Sequence, residues 1–94
     1  MNIELTLIGK PGCHLCEDAE SAIERVLASF LASNPSVSVS MTQHNILDDA
    51  ELASRYSEEI PVLLINGQVH NYWRIDEERF LSALNDLAAS AANE

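Results

Sequence analysis

Positive charge is scarce in this chain. Lysine and arginine together number 5 against 15 aspartates and glutamates, a formal net charge of −10 over 94 residues. A polyanion would be repelled, and no basic patch offsets the repulsion, so nucleic-acid binding is excluded, and docking on an anionic membrane surface with it. Basic proteins suit this charge better as partners. Long apolar runs are missing as well: the longest, Val62–Ile65, is far too short to cross a bilayer. Met1-Asn2-Ile3-Glu4 has no basic start leading into an apolar stretch with a small-residue cleavage site. A cytoplasmic protein is therefore expected. Three glycines and three prolines exclude collagen-like and low-complexity classes, and 47% hydrophobic with 21% charged residues is globular composition. The length admits one hydrophobic core. A single domain over residues 1–94 is expected, monomeric, with 88–94 read as a frayed tail because apolar periodicity is lost there.

Cysteine is also sparse. Cys13 and Cys16 are too few and too close for the disulfide framework of a secreted protein; in a cytosolic chain this spacing points to redox chemistry or metal binding.

Hydropathy periodicity gives the element order. Ile3, Leu5 and Leu7 alternate with polar neighbours and read as a strand, broken by Lys10-Pro11-Gly12. From Cys13 the period becomes helical: Cys16, Ala19, Ile23, Val26, Leu27, Phe30 and Leu31 share one face, with Glu17, Glu20, Ser21, Glu24 and Arg25 largely opposite. Asn34-Pro35 ends this helix. Val37, Val39 and Met41 alternate with serines as a half-buried strand. Asp48 and Glu51 resemble a capping box with Leu47 and Leu52 as its hydrophobic staple, predicting a short helix to about Tyr56. Val62–Ile65 reads as a strand buried on both faces, and Asn66-Gly67 as a hairpin turn leading to a return strand, Gln68–Tyr72. Asp76 caps a last helix in which Ile75 and Phe80 staple and Leu81, Leu84 and Leu87 face the core. The result is an α/β chain of order β-α-β-α-β-β-α, with a parallel first pair, an antiparallel hairpin, and a mixed four-stranded sheet carrying helices on both faces.

The two cysteines should not be equivalent. Cys13 begins the helix, where unpaired amides and the dipole favour a thiolate. Cys16 lies on the apolar stripe and should be sheltered. An exposed nucleophile followed by a sheltered resolving thiol is what dithiol exchange needs. Lys10 and a protonated His14 would favour the Cys13 thiolate, whereas Glu17 and Asp18 would oppose it. Tyr72 and Trp73 are candidates either for packing over the hairpin or for an aromatic rim receiving a partner chain. A metal half-site is the other reading of the pair, yet His14, His44 and His70 give no standard zinc spacing, so no metal ligand set is assigned. A redox-inactive binding module, or a metal-handling protein, remains the alternative.

Lys10-Pro11-Gly12-Cys13-His14-Leu15-Cys16 resembles the Lys-x-x-Cys-x-x-Cys start of the glutaredoxin-like branch of the thioredoxin fold. Ile60-Pro61, the strand after it and Asn66-Gly67 resemble that family's second hallmark, and the likeness runs from Ile3 to about Leu84. It implies a thiol-disulfide oxidoreductase acting on protein or small-molecule disulfides, with a redox-active disulfide and no bound cofactor. It also implies that Pro61 is cis and that the Ile60 backbone offers hydrogen bonds to an incoming peptide or thiol. The glutathione site departs from the family. Glu59-Ile60-Pro61 replaces the usual Thr-Val-Pro, and Asn71-Tyr72-Trp73-Arg74-Ile75-Asp76 fills with bulk the stretch where a Gly-Gly-x-Asp turn is usual. Weak or absent glutathione dependence is the expectation. The same stretch is similar to that of redoxins that carry a tryptophan there and draw electrons from thioredoxin reductase, so the donor is either a reductase of that type or glutathione.

Overall fold

Alternation at the start of the chain gives strand β1, Asn2–Gly9, in a computed structural model that describes residues 1–92. Ile3, Leu5 and Leu7 face one side of the sheet and are at most 3% exposed, while Ile8 is buried on the other. Helix α1, His14–Ser33, lays Ala19, Ile23, Val26 and Phe30 against the first of these faces. It stops at Asn34, whose side-chain Nδ2 donates to the Phe30 carbonyl at 2.9 Å. Strand β2, Ser38–Asn45, returns parallel to β1, in register from Asn2 opposite Ser38 to Gly9 opposite Asn45. The register places the end of β2 beside the loop that carries the cysteines. β2 is an edge strand, so it is less buried than its alternation suggests. Val39 packs on the core, but Met41 is 37% exposed.

The cap of helix α2, Ala50–Tyr56, lies one residue beyond the expected place. Asp49, not Asp48, accepts from the Glu51 and Leu52 amides at 2.9 and 3.2 Å. Asn45 caps a 3₁₀ turn over Ile46–Asp48 by accepting from the Leu47 amide at 2.8 Å, and this turn takes up Asp48. The Leu47–Leu52 staple does not form: Leu47 is 71% exposed, and Ile46 is the residue turned inward.

Strand β3, Val62–Ile65, pairs antiparallel with β1 and is buried on both faces, as its unbroken apolar run requires. Asn66 and Gly67 have φ of 50° and 82°, the left-handed pair that a two-residue hairpin turn demands. Asn66 is also pinned to β1, its amide donating to the Glu4 carbonyl at 2.7 Å and its Oδ1 accepting from the Glu4 amide at 2.9 Å. Strand β4, Gln68–Tyr72, completes the sheet order β2-β1-β3-β4. Helix α3, Glu77–Ala92, starts where Asp76 Oδ1 accepts from the Arg79 amide at 3.1 Å. Phe80 and Leu84 are fully buried in the cluster shared with α1 and β1, and burial of such side chains contributes about 1.5–3 kcal/mol each. Ala88 packs on this cluster too, and the helix continues to Ala92 through the stretch read from the sequence as a tail; four of residues 88–92 are alanine, the strongest helix former. Residues 93–94 of that expected tail lie outside the described residues.

Helices α1 and α3 thus cover one face of the sheet, joined by Arg25, which donates to both carboxylate oxygens of Glu77 at 3.3 and 3.1 Å. Helix α2 covers the other face, with Tyr56, Leu52 and Ala53 against Ile8 and Val62. Among the described residues, no helix is long and apolar enough to cross a membrane.

Candidate functional site

The loop after β1 leads straight into α1, and Cys13 is the cap of that helix. It has an extended backbone (φ −97°, ψ 111°), its carbonyl accepts from the Glu17 amide at 3.1 Å, and its Sγ accepts from the Cys16 amide at 3.1 Å. A sulfur placed so among unpaired amides is where negative charge is best tolerated on a helix. Cys13 and Cys16 are joined as a disulfide with Cα atoms 5.2 Å apart. Their environments differ. Cys13 is half-buried, whereas Cys16 is 8% exposed in a cluster with Ile8, Ile46, Tyr56, Ile60 and Val62.

Gly9 sets how closely Cys16 approaches β1. A Cβ at position 9 would lie 2.8 Å from Cys16 Sγ, inside the contact that real Cβ atoms keep. Nothing in the local sequence pattern marks Gly9 for this contact.

Lys10 is exposed at the rim of the cysteine loop. The His14 side chain is 97% exposed, its Nδ1 3.7 Å from Glu17 Oε2. Ile60 packs in the apolar cluster with Cys16 and, at its edge, Cys13. The Ile60–Pro61 peptide bond is cis, and Pro61 is fully buried. Trp73 adjoins this segment: its amide donates to the Pro61 carbonyl at 2.7 Å and its indole Nε1 to the Glu58 carbonyl at 3.1 Å. It holds φ at 61°, a conformation free to glycine but costing a bulky residue about 1–3 kcal/mol. Tyr72 and Trp73 are 39% and 52% exposed with ring centroids 6.1 Å apart, and they flank the proline side of the site.

A cavity of about 380 Å³ opens on the opposite side, between the cysteine loop and the end of β2. Lys10, Cys13, Cys16, Glu20, Gln43 and His44 are among its walls; His14, Ile60, Pro61, Tyr72 and Trp73 are not. Glu20, read from the sequence as lying opposite the apolar stripe, is half-buried here, and Gln43 Nε2 donates to its Oε1. The i, i+4 relation of Cys16 and Glu20 could have signalled this; nothing local could have signalled Gln43 or His44. Among the described residues, no group of three or more His, Cys, Asp or Glu side chains converges as a metal site would require.

His70 lies in mid-strand on β4, away from the cysteines. Its Nε2 is buried without a hydrogen-bond partner, and its ring packs 6.0 Å from that of Phe80. Burial, and secondarily the Arg79 charge, hold its pKa below the ordinary 6.5, with Asp76 opposing.

A family model described as glutaredoxin-like domain (DUF836) matches residues 4–85. An uncharacterized protein of Mycobacterium tuberculosis is 22% identical over 87 residues, covering 93% of this chain and 84% of that one. Among solved structures, target protein XcR50 from X. campestris is 29% identical with a TM-score of 0.67, covering 87% of this chain and 96% of its own. Protein Ne2328 from Nitrosomonas europaea is 19% identical with a TM-score of 0.70, covering 86% and 89%. The oxidized form of mitochondrial thioredoxin 3 from Saccharomyces cerevisiae, 10% identical with a TM-score of 0.58 over 89% of this chain and 77% of its own, shares the thioredoxin-like fold.

Proposed function

We propose, because the chain belongs to the glutaredoxin-like domain family, that it is a cytoplasmic thiol-disulfide oxidoreductase working through Cys13 and Cys16. One observation carries the reading: half-buried Cys13 caps a helix with its sulfur bonded to that of Cys16, a residue 8% exposed. In the reduced protein the Cys13 thiolate attacks a substrate disulfide. A Cys13–substrate bond forms, the substrate S–S bond breaks, and one substrate thiolate leaves. The Cys16 thiolate then attacks Cys13 Sγ, the mixed disulfide breaks, and the second substrate thiolate leaves. Two electrons pass from the dithiol to the substrate, and both departing thiolates take up the protons lost by the cysteines.

Ile60 and Pro61 form the docking edge on one side of the sulfurs, with Tyr72 and Trp73 as its rim. Lys10 supplies a cationic side chain on the loop that leads into the helix, and His14 is the first residue of that helix. The electron donor is a dithiol or a thioredoxin reductase-type enzyme rather than glutathione. Trp73 fills the turn where backbone would otherwise approach the tripeptide, and glutathione is an anion meeting a chain of charge −10.

Cys13→Ser abolishes disulfide exchange, whereas Cys16→Ser accumulates mixed disulfides, both read by mass spectrometry after incubation with a reducible protein. The reverse pattern rejects the assignment. A glutathione-coupled assay is expected to give little turnover, and robust turnover there overturns the proposed donor.

A further inference from the structure

We propose that the cavity on the β2 side of the cysteine pair selects disulfides flanked by a cationic side chain, with Glu20, braced by Gln43, as the specificity-determining carboxylate. The inference rests on the thiol-disulfide reading and names the substrate class for it. A polypeptide whose disulfide lies over Cys13 has two flanks. One meets Ile60, Pro61 and the Trp73 rim. The other meets a cavity to which none of those residues contributes.

Its volume, about 380 Å³, is at the small end of ligand sites and suits one long side chain. Glu20 is the half-buried carboxylate in its wall, and Gln43 Nε2 holds one of its oxygens. A carboxylate accepts at both oxygens, so Glu20 can keep Gln43 and still receive an ammonium or guanidinium. Glu17 lies on the same wall. Lys10 and His44 also face the cavity, but both are exposed, and the Lys10 charge is better screened than a half-buried one. Glu24, one turn further along α1, is exposed and outside the cavity, which makes it the control for charge alone.

The test uses the full chain carrying Cys16→Ser, so that reaction stops at the mixed disulfide. Two peptides present cysteine between lysines or between glutamates, each activated as a mixed disulfide with 5-thio-2-nitrobenzoate. Cys13 forms a bond to the peptide sulfur and expels the coloured thiolate, whose absorbance gives the rate. Ratios of lysine- to glutamate-peptide rates are referred to those of free cysteine at low salt. A ratio of about 10 is expected, falling to about 3 with Glu20→Gln, unchanged with Glu24→Gln, and inverted with Gln43→Lys. An equal fall with Glu20→Gln and Glu24→Gln, or no preference in the parent, overturns the proposal. Activated disulfides react with any accessible thiolate, so this ratio is read whether or not Cys13 and Cys16 cycle. The oxidoreductase reading fails separately, if no reversible Cys13–Cys16 disulfide forms in graded redox buffers.

Discussion

At the scale of single residues, Gly9 has no reactive atom, yet it decides where Cys16 can be. Any side chain there would push the Cys16 sulfur off β1. Gly9→Ala is expected to lose about 1–3 kcal/mol in denaturant unfolding, as overpacked sites do. After reduction it should also alkylate faster at Cys16, because the sulfur is driven outward. Unchanged stability together with unchanged alkylation would show that the contact is slack. The inequality of Cys13 and Cys16 was legible in the sequence, because a helix start and an apolar stripe are local patterns. The Gly9–Cys16 contact was not, because it depends on how a strand and a helix meet.

Between elements, His70 is wedged where β4 packs under α3, with Phe80 on one side and its backbone carbonyl taking a 2.7 Å hydrogen bond from Arg79. Its folded pKa lies below the unfolded value, so the unfolded chain binds the proton more readily. Its contribution to stability is complete above about pH 6.5 and is lost as pH falls below that value. The stability of the protein relative to His70→Phe should therefore fall from pH 7 to pH 5 in parallel urea titrations; a relative stability that stays flat or rises would contradict the sign. Element types were readable throughout, the hairpin most directly, because Asn66-Gly67 carries its own backbone requirement. The start of α2 was misread by one residue. Either member of Asp48-Asp49 can cap, and only the 3₁₀ turn capped by Asn45 decides between them.

For the molecule as a whole, the mixed sheet followed from the β-α-β unit and the hairpin, but the place of β3 beside β1 and the cavity did not. Gly9 meets Asn45 only through a parallel register between segments far apart in sequence, and that register brings Gln43 and His44 to the cysteine loop. The same strand has another property. From Val26 to Leu47 the chain carries no acidic or basic side chain other than His44, and β2 is an open edge of the sheet. Edge strands are commonly guarded by charge. At low salt, the −10 of the rest of the chain keeps copies apart. Raising ionic strength to about 1 M shortens the Debye length to roughly 3 Å, and self-association through β2 should follow, read by sedimentation velocity. Thr42→Lys, in mid-strand, should suppress it, and equal association of both proteins would place the contact elsewhere.

Colloidal protection here is thus borrowed. Carboxylates on the helices shield, from a distance, a border that has no guard of its own. Titrating them toward the isoelectric region near pH 4.5 withdraws that shield as surely as salt does. Acid precipitation of this molecule would then start along one seam, strand against strand, while its helices were still folded.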